Sequence, residues 1–179
     1  LRYMATTIPS SWEFVGVTFL IEGITRATAQ QLTRTRNASF AMQSQRAVDA
    51  TTAEFTNPFP ADDPKHSVFW NYSEQCRAAY ASLVQNGAKL EDARGLLPIN
   101  TQTNVVARYN LRALVDLLRS RLSHRTQGEY REIALRMRDQ LLALWPWAEE
   151  FLKPQEQKAV DILESAIEEM DLTVGSGPG

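Results

Sequence analysis

Arg34, Arg36 and Arg46 fall within thirteen residues of the stretch QQLTRTRNASFAMQSQRAV (residues 30–48), among glutamine, serine, threonine and asparagine. Between Ile24 and Val48 there is no Asp or Glu. A solvated helix face would interleave acids at i+4, where opposite charges stabilise one another. Guanidinium forks and hydroxyl donors suit phosphate oxygens instead, so the cluster predicts a site for an anion. A surface loop with incidental positive charge is the bland reading of the same spacing.

A second polar group lies further along. Asn110 and Arg121 are eleven residues apart, which on a helix is three turns and about 20°, so both project from one face roughly 16 Å apart. Arg112, one turn from Asp116, lies on a neighbouring face, and Arg94 stands just before the GLLP stop. Taken singly, these fit a solvated helix with an i,i+4 Arg–Asp pair worth about a few tenths of a kcal/mol. No Ser-His-Asp or Cys-His arrangement suggests itself. Cys76 reads as an inert core thiol in an apolar stripe. His66 and His124 are the only histidines and Cys76 the only cysteine, too few for a metal site built on either type. Any chemistry then belongs to a bound cofactor, with the protein supplying grip and electrostatics.

The elements that must position these residues follow from periodicity. Trp12–Gly23 is rich in β-branched and aromatic residues, with Val15, Val17, Phe19 and Ile21 on one face, and predicts a strand. Thr25 can cap a short helix running to about Arg34, which puts Gln31 and Arg34 on one face. The stretch NASFAMQSQRAV alternates and predicts an extended segment with Met42, Ser44 and Arg46 on one side. Residues 51–66 read as a long, mobile loop. A helix follows, with Phe69, Tyr72, Cys76, Tyr80, Leu83 and Val84 in one stripe, ended by Asn86-Gly87. KLEDARGLLP is a short helical turn stopped by Pro98. ARYNLRALVDLLRSRLSH and GEYREIALRMRDQLLALW predict two amphipathic helices, the second ending at Pro146, and another is expected over about 155–170. There is no internal repeat and no GxGxxG or Walker-type loop. The pattern is α+β, a small sheet with many helices.

A chain of 179 residues suits one domain over 1–179, with a tail at 171–179. The net charge of −2 and pI near 5.8 argue against general nucleic-acid binding, so the arginine cluster points to a small anionic ligand. No apolar run reaches the roughly 18 residues of a membrane span. With no signal peptide visible, a reduced, cytoplasmic setting is expected. The chain opens on Leu1 rather than Met, so an N-terminal piece is expected to be missing.

Three stretches, TRATAQQLTRTRNASFAMQSQR, EDARGLLP and NLRALVDLLRSRLSHRTQGEYREIA, resemble in order and spacing the flavin-dependent thymidylate synthases. That family carries an RHRxxSxNxxSxR signature, an ExARxxLP element, and an NxR helix followed by a QxE segment. The resemblance runs from Trp12 to about Ala134 and implies a small antiparallel sheet with a helix-rich body. It implies that Gln31, Arg34, Ser44 and Arg46 hold a pyrimidine nucleotide, with Met42 and Gln45 beside it and Arg94 reaching its phosphate region. Arg121 would face the uracil edge as the catalytic contact. Arg34, Thr35 and Arg36 would also meet the flavin, and Asn110, Arg112 and Asp116 would bind FAD. Family members are homotetramers whose sites draw on several subunits. Their reaction passes a one-carbon unit from methylene-tetrahydrofolate to C5 of the nucleotide, with reduced flavin as hydride source and NADPH as reductant. No cysteine nucleophile is needed.

The chain departs from the family pattern at several places. Thr35 stands where the family has His, Ala41-Met42 where it has Asn-Glu, and Asp116 where it has Asn. Upstream, Ile8 holds the place of a His, and Glu13-Phe14 that of Glu-His. Loss of a carboxylate beside the nucleotide removes a hydrogen-bond acceptor, and a thioether tolerates more shapes. The pattern resembles a branch in nucleoside-antibiotic (polyoxin-type) pathways that methylates UMP. Phage relatives that hydroxymethylate pyrimidine nucleotides are an alternative branch, and a non-catalytic nucleotide-binding relative a third. Arg121, a donor suited to a uracil carbonyl, favours uracil over cytosine. The expectation is C5-methylation of UMP, dUMP or both.

Overall fold

Alternation in Gly16–Thr25 builds β1, in which Val17 and Ile21 are buried while Thr18, Leu20 and Glu22 face out. The computed structural model describes residues 2–3 and 8–153; the helix expected over 155–170 and the tail at 171–179 lie outside them. Gly23, at φ +68°, breaks the alternation so that Ile21 and Ile24 are both buried. A side chain there would be strained, because only glycine adopts that φ without steric cost. Before β1, Pro9–Phe14 is a 3₁₀ turn, not the start of the strand. Pro9 at its first position presets a φ suited to a turn.

Thr25 caps the next helix as expected, its hydroxyl accepting from Thr28 N at 3.1 Å. That helix, α1, is Arg26–Leu32, so Arg34 lies just past it in a turn. Asn37, at φ 61°, carries the chain into β2, Ala38–Met42. Asn is one of the few residues that adopts this left-handed conformation readily. β2 pairs antiparallel with β3, Gln102–Asn110, in a register running from Ala38 opposite Tyr109 to Met42 opposite Val105. The sheet has three strands in the order β1-β3-β2 and is antiparallel. β3 overlaps ARYN, read above as the start of a helix. Its burial alternates strictly, with Thr103, Val105, Ala107 and Tyr109 inside.

Beyond Met42 the extended segment ends. Ala47 N and Val48 N both donate to Ser44 O, at 3.3 and 3.0 Å, so Ser44–Val48 curls. Ser44 and Arg46 therefore do not share a strand face with Met42. The loop that follows is tied down by Thr56 N to Asn100 O at 3.1 Å and Gln102 N to Glu54 O at 2.9 Å. α2, Pro64–Gln85, starts earlier than expected, with Asp63 as N-cap and Pro64 in the first turn. It ends as expected at Asn86, with Gly87 at φ +86°. Its stripe is only partly covered: Tyr80 is fully buried, whereas Tyr72 and Leu83 are exposed. Tyr80 packs with Ala50 and Ala93, and its hydroxyl accepts from Ala50 N at 3.2 Å. α3, Leu90–Ala93, runs into a 3₁₀ turn at Arg94–Leu96, and Pro98 follows.

The remaining elements are helical. Asn110 caps α4, Leu111–Arg121, and α5 is Gly128–Leu144, ending at Trp145 and Pro146. Leu111, Leu114, Val115, Leu118, Tyr130, Ala134, Met137 and Leu141 are buried, as their spacing required, but Leu144, expected on the same stripe, is exposed at the last position of α5. Fully burying each Leu is worth about 1.5–3 kcal/mol. Trp12 packs its ring edge-on to Phe151 at 5.1 Å and against Trp147 at 5.8 Å. The chain divides into two compact units: the described parts of Leu1–Gly16 and Asn110–Gly179 form one, and Val17–Tyr109 the other. No helix among the described residues is long and apolar enough to cross a membrane.

Candidate functional site

In the unit Val17–Tyr109 the basic stretch folds into a helix end, a turn and a curl. Gln31 sits in the last turn of α1, and Arg34, Thr35 and Arg36 occupy the turn that follows. Arg34 and Arg36 are exposed, and neither forms an ion pair among the described residues. Met42, at the end of β2, is partly exposed. Ser44 Oγ accepts from Arg46 N at 3.2 Å, a local turn that fixes the curl.

Arg46 is not unpaired, as the local sequence suggested. Its Nε and Nη2 reach Glu91 Oε2 at 3.0 and 2.8 Å. Glu91 also accepts from Arg94 Nε through its backbone carbonyl, at 3.2 Å. One residue of α3 thus orients two of the predicted anion contacts. The Arg46–Glu91 pair is largely exposed, so it is worth only about 0–1 kcal/mol and can yield to an incoming anion. Ser44, Arg46, Lys89 and Glu91 line an open recess of about 570 Å³. A neighbouring cavity of about 300 Å³ is lined by Arg26, Gln43, Ser44, Gln45 and Asn104, among others. Gln45 Nε2 is buried without a partner among the described residues.

Arg26 escaped the sequence reading. It is partly buried, and the only hydrogen bond of its side chain among the described residues is a long one, Nη1 to Gln43 O at 3.5 Å. Burial first, and then the positive charge of Arg94, lower the pKa of its guanidinium. One signal was legible: Arg26 is the first residue of α1, where a cation opposes the helix dipole. A local rule broken in this way often marks a site.

The second group lies in the other unit. Asn110 Oδ1 accepts from Ala113 N at 2.8 Å, so its carbonyl caps α4. Arg112 does not pair with Asp116. Its Nη1 reaches Glu13 Oε1 at 2.7 Å, while Asp116 lies 3.9 Å from Arg119. Arg121 closes α4, with its guanidinium carbon 5.1 Å from the ring centroid of Tyr130. Cys76 is half-buried and lines an apolar recess on α2 with Phe59 and Phe69, so the core-thiol reading holds in part. No group of three or more His, Cys, Asp or Glu among the described residues is placed to hold a metal ion.

Residues 2–147 match the family model described as thymidylate synthase complementing protein. The chain belongs to that family. Similar proteins named flavin-dependent thymidylate synthase come from Geobacter sulfurreducens, 37% identical over 140 residues, and Nitratidesulfovibrio vulgaris, 38% over 133. A third, from Pyrococcus furiosus, is 34% identical over 148 residues. These matches cover 76%, 68% and 76% of this chain but 60%, 54% and 61% of the relatives. The chain therefore spans little more than half the length of the relatives it matches. The family match includes both basic groups, the turn at Arg34–Arg36 and the α4 helix that bears Arg112 and Arg121.

Proposed function

We propose that this chain contributes to a flavin-dependent methyltransferase site that adds a methyl group at C5 of a uridine nucleotide, UMP or dUMP. The observation that carries this reading is a set of guanidiniums kept clear of carboxylates. Arg34, Arg36 and Arg121 are exposed and hold no acid among the described residues, while Arg46 and Arg112 do. The names of the relatives support the flavin and the reaction class.

By their chemistry, the donors in each unit suit FAD, a bulky ligand with a diphosphate. Arg34 and Arg36 stand two residues apart on an exposed turn. Arg112 spends one Nη on Glu13, and Asn110 spends only its carbonyl on the cap, so both keep donors for a ligand. Thr35 and Asp116 complete this group. When bound, FAD supplies the hydride that reduces the transferred one-carbon unit, with NADPH as the reductant and methylene-tetrahydrofolate as the carbon donor.

On the nucleotide, Arg46 and Arg94 serve the phosphate, with Gln31, Arg34, Ser44 and Gln45 completing the grip. Met42 borders the sugar. Arg121 directs its N–H groups at a uracil carbonyl, where they favour negative charge as C5 becomes nucleophilic. The protein works as a homotetramer in a cytoplasmic setting, its sites shared between subunits, and residues 1–179 belong to a single family domain. The test is mass analysis of product from UMP, dUMP and dCMP, each incubated with FAD, NADPH and methylene-tetrahydrofolate. A product heavier by one CH2 from a uridine nucleotide is expected. A hydroxymethyl product assigns the phage-type reaction instead, and no product from any of the three sinks the reading.

A further inference from the structure

A cation that must be held still can be tethered by a carboxylate, a backbone carbonyl or an aromatic face. Arg46 and Arg112 use carboxylates, and Arg94 uses a carbonyl. Each of those tethers occupies N–H groups. Arg121 uses the third kind. Its only partner among the described residues is the ring of Tyr130, at 5.1 Å from guanidinium carbon to centroid. A ring face attracts a cation through its quadrupole at this range and takes no hydrogen bond from it. All five donors of Arg121 stay available.

Tyr130 itself is an unusual core residue. It lies in the first turn of α5 with no solvent exposure, and its hydroxyl is buried without a hydrogen-bond partner among the described residues. Buried tyrosine hydroxyls ordinarily find a hydrogen-bond partner. Among the described residues the oxygen has no hydrogen-bond partner, which leaves the ring face as the part of the side chain with a specific polar task. Arg121 lies at the C-terminus of α4, where the helix dipole also favours a cation. Dipole and ring together hold the charge in place without a carboxylate.

We propose that Tyr130 is the positioning residue for Arg121, fixing its guanidinium without occupying any N–H group, so that one edge of the fork can face the uracil. This rests on the assignment of Arg121 to the uracil edge made above. The test is a double-mutant cycle on the FAD-loaded full chain, reading Kd for UMP and dUMP by calorimetry. Arg121→Ala should weaken binding about tenfold or more, the loss expected for a charge-assisted contact. Tyr130→Phe should bind within about twofold of the parent, because the face remains. Tyr130→Leu should weaken binding roughly two- to fivefold, the scale of an exposed cation–π contact, yet change nothing in the Arg121→Ala background. A ring-trifluorinated phenylalanine at 130 keeps the shape while depleting the face, and it should reproduce the Leu effect even if the Leu variant folds poorly. If the Leu and Ala effects add, or if the fluorinated ring binds like Phe, Tyr130 is packing only and the proposal is overturned. If Arg121→Ala leaves both affinities unchanged, the uracil assignment itself falls, and the positioning role with it.

Discussion

Arg46 and Arg121 are both proposed nucleotide contacts, and the fold holds them in opposite ways. Arg46 projects from a curl and is gripped by Glu91, 45 positions away in sequence. Arg121 ends a helix and rests on an aromatic face. A carboxylate-held guanidinium must exchange or share its partner when a phosphate arrives. A ring-held one meets its ligand with its donors already free. Where charge neutralisation matters, at a phosphate, a weak exposed ion pair keeps the site ordered and is easily displaced. Where direction matters, at a carbonyl, a tether that takes no hydrogen bond is better.

The largest effect that sharpens this contrast is on Arg46 itself. Arg46→Ala should raise nucleotide Kd at least about tenfold, since a charge-assisted contact is worth roughly 1.5–3 kcal/mol. Folding should be nearly intact, because the pair is exposed. Unchanged affinity with a lowered melting temperature would make Arg46 structural. Arg112→Ala should weaken FAD retention on a similar scale, about 1.5–3 kcal/mol, read as loss of flavin absorbance after gel filtration. If the flavin is retained in full, Arg112 serves only Glu13.

Met42 tests the sugar side of the same site. The parent should discriminate between UMP and dUMP by only about 1–2 kcal/mol, near the scale of one net hydrogen bond. Met42→Glu should shift the kcat/KM ratio toward dUMP, because a restored acceptor tightens the sugar position and disfavours the bulkier ribose. A parent that already rejects UMP by about a thousandfold, roughly 4 kcal/mol, rules out Met42 as what opens the sugar site. The smallest effect concerns the tether. Glu91→Gln removes the charge that competes with phosphate, so nucleotide affinity should rise up to about fivefold, the most an exposed pair of about 1 kcal/mol allows. A fall in affinity would mean that orienting Arg46 outweighs competing for it.

Much of this chain was legible from local chemistry. Thr25 caps a helix, and Asn86-Gly87 and Pro146 close others, because each residue's own side chain or φ preference acts within a few positions, whereas the caps at Asp63 and Asn110 escaped the sequence reading. The Leu-rich stripes of α4 and α5 are buried where their period put them, except Leu144 at the end of α5, which is exposed. β3, the central strand, escaped the sequence reading altogether: its last four residues, ARYN, read as part of the helix that follows, because they abut a strong helical pattern and Tyr109 and Asn110 fit either. The extended reading of residues 43–46 failed because Ser44 O collects the N–H groups of Ala47 and Val48. Alternating polarity alone cannot reveal such a curl.

By itself, the sequence determined the two outer strands, most of the helices and several of their ends, the family, and the residue types that could grip an anion. Those follow from short-range sterics, capping and hydrophobic period, which act along the chain. Only the tertiary structure decided how each cation is held: Arg46 by Glu91, Arg112 by Glu13 and not by Asp116, and Arg121 by Tyr130. It also brought Arg26 to a cavity beside Gln43 and under the field of Arg94. Electrostatic partnership depends on distance in space, and a carboxylate 45 positions away in sequence can lie 2.8 Å away once the chain has folded.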